Sequence, residues 1–183
     1  YNDMLKDLIQ KKTPFIDVRS PAEFNQGSIP LSINIPILND MEREIVGKAF
    51  KLSGQETAKK IGYELVSGKI KNDRVSKWKK FIEANPRSWL YCARGGLRSE
   101  IAQSWLKDIG LIIDRVDGGF KSIRNFCLEV FEHINEDNKD WIVLAGKTGS
   151  DKTGMINKLN NSIDLEGLAN HRGSAFGARS TKQ

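Results

Sequence analysis

Short apolar runs rich in β-branched residues alternate along this chain with amphipathic stretches of helical length, and no other feature restricts the fold as much. The runs are Phe15-Ile16-Asp17-Val18, Ile33-Asn34-Ile35, Trp89-Leu90-Tyr91, Ile112-Ile113-Asp114-Arg115-Val116 and Trp141-Ile142-Val143-Leu144. Brief strands separated by helical segments build a largely parallel sheet covered by helices. The expected class is therefore α/β. A length of 183 residues holds one such three-layer domain, or one domain and a fragment of another. No stretch approaches the ~18 consecutive apolar residues of a membrane span. The opening Tyr1-Asn2-Asp3-Met4-Leu5-Lys6 shows no basic segment followed by an apolar one, so the cytoplasm is the expected location.

The first strand leads straight into a helix. Ser20-Pro21-Ala22-Glu23 places a capping hydroxyl before a proline at the first helical position, with a glutamate three residues on to complete a capping box. Residues 39–85 read as a long helical excursion with breaks at Ser53-Gly54 and Ser67-Gly68. Within it, Val75, Trp78 and Ile82 form the stripe to be buried. Around them stand Lys69, Lys71, Arg74, Lys77, Lys79 and Lys80 against one acid, Asp73, which makes this face either solvated or turned toward nucleic acid. A net charge of +6 and a pI near 9.3 favour an anionic partner.

The polar run Asn135-Glu136-Asp137-Asn138-Lys139-Asp140 marks a boundary between a first domain, 1–138, and a segment 139–183. A free-standing nucleotide-binding domain needs on the order of 100 residues. The second part is therefore expected to be an incomplete P-loop α/β segment, truncated or degenerate.

Two cysteines make no disulfide framework, and two histidines make no cluster at metal-ligand spacing, so no structural zinc site and no metal held by such side chains is expected. Cys92 stands apart. In Trp89-Leu90-Tyr91-Cys92-Ala93-Arg94-Gly95-Gly96-Leu97-Arg98-Ser99-Glu100 a strand ends on the cysteine, a glycine-bearing loop follows and a helix begins. A sulfur there meets the positive end of the helix dipole and the charges of Arg94 and Arg98, all of which stabilise negative charge on it. Gly95 and Gly96 permit backbone angles that turn several N–H groups inward as a cradle for a phosphate-like oxyanion. Cys92 is thus the expected nucleophile, in a partly exposed site. Cys127, within Phe126-Cys127-Leu128 on an amphipathic stretch, is expected only to pack.

A second phosphate motif follows. Gly146-Lys147-Thr148-Gly149-Ser150-Asp151-Lys152-Thr153 comes after the apolar run at 141–144 and before a helical stretch, as a Walker A loop does. Gly146, Gly149, Lys152 and Thr153 are the expected phosphate contacts, with Mg²⁺ at the threonine. Asp151 replaces the second glycine, where a side chain obstructs close approach and a carboxylate repels phosphate. Residues 164–177, Asp-Leu-Glu-Gly-Leu-Ala-Asn-His-Arg-Gly-Ser-Ala-Phe-Gly, are dense in glycine and polar groups with neither helical nor strand period.

Taken together, Asp17-Val18-Arg19-Ser20-Pro21-Ala22-Glu23-Phe24, Gly27-Ser28-Ile29-Pro30, Ile33-Asn34-Ile35-Pro36, the Cys92 loop and Asp117-Gly118-Gly119-Phe120 resemble a rhodanese domain. That resemblance implies a rhodanese-like doubly wound sheet with the active loop at a strand's C-terminal end. It also makes Asp17 and Arg19 a structural pair near the loop, and Glu23 a helix cap. The five residues between Cys92 and Arg98 exceed the Cys-x-x-Gly-x-Arg spacing usual in single-domain sulfurtransferases. They are similar to the loop of rhodanese-fold phosphatases and arsenate reductases, and spacing leaves sulfur or selenium transfer and phosphate-ester hydrolysis both open. With the helical insertion, the P-loop and the stretch from Asp164, nearly the whole chain resembles the bacterial tRNA 2-selenouridine synthases. The resemblance implies an enzyme that replaces sulfur by selenium in wobble 2-thiouridine of tRNA. Its substrates would be selenophosphate and, for an S-geranyl intermediate, geranyl diphosphate; its partners would be tRNA and a supplier of selenophosphate. Cys92 would attack or carry selenium, and Arg94, Gly95, Gly96 and Arg98 would hold selenophosphate. The rivals are a phosphatase, arsenate reductase or sulfurtransferase, and a noncatalytic tRNA-binding relic.

Overall fold

The computed structural model describes residues 2–134, 140–147 and 149–169. The chain divides into two compact units, Tyr1–Glu132 and His133–Gln183.

In the first unit the order is α1 (Asn2–Gln10), β1 (Phe15–Asp17), α2 (Pro21–Asn25), β2 (Ser32–Asn34), α3 (Asp40–Leu65), α4 (Gly68–Ala84), β3 (Trp89–Tyr91), α5 (Leu97–Asp108), β4 (Asp114–Arg115) and α6 (Gly119–Glu132). The four strands form one sheet in the order β2-β1-β3-β4, and every pairing is parallel. The expected doubly wound α/β architecture is the one observed. Its strands split their side chains between two cores, because successive residues of a strand face opposite ways. Ile16, Leu90 and Cys92 join Trp78, Ala102, Trp105 and Leu106 of α4 and α5 on one face. Phe15 and Tyr91 join Leu5, Leu8 and Ile123 of α1 and α6 on the other. Helix α1 adds to the expected elements, and Leu5, Leu8 and Ile9 carry the spacing of an amphipathic helix.

Two boundary signals hold. Ser20 and Glu23 form the full capping box at α2, with Pro21 in its first turn. Gly54, at φ +79°, lets α3 double back on itself, so that Gly62 faces Val46 from the opposite arm. The run at 112–116 shortens to two strand residues, with Ile112 89% exposed, because β4 is an edge strand that pairs only through Asp114 and Arg115. The basic stripe on α4 also needs correction. Arg74 is half-buried, donates to the Ile37 carbonyl and holds Glu42 at 2.7 and 2.9 Å, which ties α4 to the N-terminal turn of α3. Lys71 lies over the Trp105 ring at 4.9 Å.

In the second unit the described elements are α7 (Lys152–Ile156) and α8 (Leu165–Leu168). The expected strand at 141–144 is absent: these residues have no ladder partners among the described residues, with Ile142 94% and Val143 86% exposed. Apolar sequence makes a strand only where a neighbouring strand accepts its hydrogen bonds. Part of the aperiodic stretch is helical, since α8 is capped by the Asp164 carboxylate, which accepts from Gly167 N at 2.9 Å. Its remainder, 170–177, lies outside the described residues.

Candidate active site at the Cys92 loop

Strand order reverses between β1 and β3, since the chain leaves β1 toward β2 and returns on the other side as β3. Open α/β sheets bind ligands at the strand C-termini beside such a switch. Cys92 follows β3 there, and Asp17-Val18-Arg19 ends β1 next to it.

Four of the loop carbonyls are engaged as acceptors. Cys92 O accepts from Phe120 N at 2.8 Å and Ala93 O from Lys121 N at 3.0 Å. Gly95 O accepts from Arg115 Nη1 at 2.7 Å, and Gly96 O from Ser99 Oγ at 2.9 Å. Among the described residues, no protein acceptor meets the amides of Ala93, Arg94, Gly95 and Gly96. Such a ring of unpaired N–H groups is an anion nest. Gly95 is required by its geometry: at φ +64°, a Cβ there would sit 2.6 Å from Gly118 N.

Cys92 is 3% exposed, against the expectation of a partly open site. Its Sγ lies 3.2 Å from Ser99 Oγ and 3.8 Å from Gly96 O, over the first turn of α5. It is buried because its position, one beyond the β3 ladder, turns it into the core beside Ala102.

The two arginines of the loop part company. Arg94 is exposed and, among the described residues, unpaired. Arg98 grips Glu23 with both arms, at 2.5 and 2.9 Å, and Arg43 approaches the same carboxylate at 3.8 Å. Glu23 is thus both the cap of α2 and the partner of Arg98. Sequence reasoning finds only the cap, because the partners lie 75 positions apart. Asp17 and Arg19 form the expected structural pair, joined at 2.7 to 3.1 Å. Arg19 also donates to Gly27 O and covers the Phe120 ring at 4.0 Å, which pins the start of α6 beneath the loop.

Burial by itself would raise the Glu23 carboxyl, but the Arg98 hydrogen bonds and charge, the Ser20 amide and Arg43 prevail and hold it at about 2, below its ordinary 4.5. A depressed carboxylate stabilises the fold above its ordinary value and ceases to do so as pH falls toward the folded-state value. Glu23→Gln should therefore cost about 2 kcal/mol at neutral pH, with the gap from the native protein closing between pH 4.5 and about 2. Denaturant melts across that range measure it; a constant gap would show that the pair does not couple to protonation. Cys127 is half-buried against the second core, and its thiol is pushed up by that burial, which suits packing.

At the second motif, Gly146, Gly149 and Thr153 are exposed, and Thr148 lies outside the described residues. Lys152 Nζ curls back to Gly146 O at 2.8 Å and Lys147 O at 2.9 Å. Asp151 adopts φ +53°, the left-handed conformation that favours the glycine usual at this place, and its carboxylate covers Gly154. The described residues contain no group of His, Cys, Asp or Glu arranged to hold a metal, and no helix long and apolar enough to cross a membrane.

A parallel sheet with a cysteine-bearing amide nest at its switch point defines a rhodanese-like protein, and the rhodanese-like domain family matches residues 2–126. The chain belongs to that family. Residues 139–183 match the tRNA 2-selenouridine synthase AAA domain. Curated relatives named tRNA 2-selenouridine synthase include one from Pseudomonas paraeruginosa, 49% identical over 97% of this chain, and one from Nitrosomonas europaea, 48% identical over 99%. In each case 48% of the relative is covered, so the chain spans about half the length of the curated relatives it matches. Among solved structures, the N-terminal domain of a protein described as an ATP/GTP binding protein from Clostridium difficile 630 superposes with a TM-score of 0.59. It is 33% identical and covers 64% of this chain and 90% of its own.

Proposed function

We propose that the protein acts as a tRNA 2-selenouridine synthase, a transferase that exchanges sulfur for selenium in wobble 2-thiouridine. The observation that carries this is the conjunction of a buried cysteine with a nest of unpaired amides in a chain nearly half identical to proteins so named. Selenophosphate is the selenium donor, and geranyl diphosphate supplies the group that makes the sulfur a leaving group. The amides of Ala93–Gly96, with Arg94 and Arg98, hold the phosphate end of selenophosphate.

Electron counting selects attack as the role of Cys92. Selenium in selenophosphate is already at the selenide level, so loading it onto Cys92 as a selenenyl sulfide would need an oxidant. Instead, the Cys92 thiolate adds to C2 of the S-geranylated base. The C2–S(geranyl) bond breaks with its electron pair, and the thiolate released takes a proton to become geranylthiol. Selenium of selenophosphate then adds to C2 and expels the Cys92 thiolate. Water attacks phosphorus, the P–Se bond breaks, phosphate leaves and selenium stays on the base. No oxidant or reductant is consumed.

Segment 139–183 is, in this reading, the N-terminal part of a P-loop domain in which Gly146, Gly149, Lys152 and Thr153 contact the diphosphate, with Mg²⁺ at Thr153. A supplier of selenophosphate is the second partner after tRNA, and a tRNA substrate places the work in the cytoplasm. Incubating the purified protein with an S-geranyl-2-thiouridine tRNA and selenophosphate, followed by nucleoside mass spectrometry, tests the reading. Selenouridine and geranylthiol should appear together; consumption of neither substrate overturns it.

The basic face of α4 gives a second measurement. With Arg74 and Lys71 engaged and Lys79 near Glu83 at 3.8 Å, the lysines left for tRNA are Lys69, Lys77 and Lys80. Replacing all three with alanine should flatten the dependence of log Kd on log salt by roughly 0.7 to 0.9 for each phosphate no longer neutralised. An unchanged slope would mean that this face meets only solvent.

A further inference from the structure

An apolar cavity lies between the two arms of α3 and the first turns of α5, and no step of the proposed chemistry uses it. Its volume is about 620 Å³, within the range of small-molecule sites. Val46 and Phe50 form one wall, Ala58 another, and Ile101 and Trp105 the floor. The cavity exists because Gly54 reverses α3 instead of ending it, leaving the two arms to diverge over α5. Phe50, which lines the cavity, is a large apolar side chain left 55% exposed.

The mouth is cationic. Arg43, Lys48, Lys51, Lys59 and Arg98 line it against one acid, Glu44, which is itself paired with Lys48 at 2.6 Å. Lys51 and Lys59 remain for an anionic ligand. Arg98 belongs to both the cavity and the Cys92 loop, and Leu97, its neighbour in the first turn of α5, lines the cavity too. A ligand here is thus apolar at one end, anionic at the other, and held one helical turn from the nest. A nucleobase does not suit these walls, since its polar edges would find almost no partners among them.

We infer that the cavity holds the geranyl chain of the S-geranylated nucleotide, with Lys51 and Lys59 on flanking RNA phosphates. The inference rests on the proposed function and deepens it: the apolar arm is anchored in α3 while the C2–S bond is presented to Cys92. A branched ten-carbon chain fits the volume, and burying it removes enough apolar surface to raise affinity at least about tenfold over the ungeranylated RNA.

The test compares binding of two anticodon stem-loops that differ only in bearing S-geranyl-2-thiouridine or 2-thiouridine. The native protein should prefer the geranylated RNA by about tenfold or more. Ala58→Phe, which fills the cavity, and Phe50→Ala, which opens a wall at an exposed position and leaves folding intact, should each reduce that preference to about threefold or less. Binding of the 2-thiouridine RNA should be unchanged by Phe50→Ala. Equal affinity for the two RNAs, or a preference untouched by Phe50→Ala, overturns the inference. So does a result in which Phe50→Ala weakens geranyl diphosphate but not the geranylated RNA, since the occupant would then be the donor. Selenouridine formation, assayed in parallel, separates the two levels: if it proceeds normally while the preference ignores the cavity, the cavity assignment alone falls.

Discussion

Cys92→Ser is expected to lower selenouridine formation roughly 10³-fold or more while leaving the fold in place. A serine hydroxyl is almost wholly protonated at neutral pH and attacks C2 poorly, whereas it fits the same small site and can keep the hydrogen bond that Sγ shares with Ser99 Oγ at 3.2 Å. Melting free energy should therefore stay within about 1 kcal/mol of the native value. Geranylation of 2-thiouridine should persist, because transfer of a geranyl group from its diphosphate to a nucleobase sulfur has no step for the Cys92 thiolate. Mass spectrometry of nucleosides after incubation with tRNA and both co-substrates reports the two reactions at once. A variant that keeps more than about a tenth of the native selenouridine rate would remove Cys92 from the bond-making step.

Gly119→Ala is expected to do comparable damage without touching any reacting group. At φ +59° its backbone is left-handed, and a Cβ there would overlap the Cys92 carbonyl oxygen and sit 2.6 Å from Gly95 N. Both atoms are backbone, so relief requires moving either the nest or the start of α6. The expected loss is about 3–5 kcal/mol of stability, and at least about 10²-fold in selenouridine formation for the fraction that folds. Gly110→Ala is the matched control: φ is +79°, but no atom lies within 4 Å of the added methyl, so only the left-handed strain of about 1 kcal/mol remains. Chemical denaturation of the two variants separates steric overlap from strain, and equal losses would contradict the close approach.

What the sequence disclosed and what it withheld follow from the range of the interactions involved. The capping box at Ser20, the break at Gly54 and the sequence of strand, cysteine loop and helix at 89–108 are local, and local chemistry is written in consecutive residues. The loop alone offers Arg94 and Arg98 as candidate ligand contacts and does not tell the exposed one from the paired one. Only folding brings Glu23 to Arg98 and Glu42 to Arg74. The burial of Cys92 is hidden for the same reason: the glycines and arginines after it advertise access, while the alternation of β3 turns the sulfur inward. The apolar run at 141–144 misleads in the opposite way. Its composition is that of a strand, yet strand formation is a property of pairs, and the described residues offer it no partner.

The grip of Arg98 on Glu23 also bears on how the loop behaves before a ligand arrives. A fixed guanidinium beside unpaired amides concentrates positive charge; an internal carboxylate acts as a built-in counterion and keeps the loop electrically quiet. An incoming phosphate group must then share or exchange that ion pair, so Arg98 trades one anion for another and adds little net attraction. In the proposed function, long-range capture would fall to Arg94, which is exposed. Under the proposed function arrival would then depend on one side chain and the grip on the loop amides, and salt should slow association through Arg94 far more than it loosens the ligand once seated.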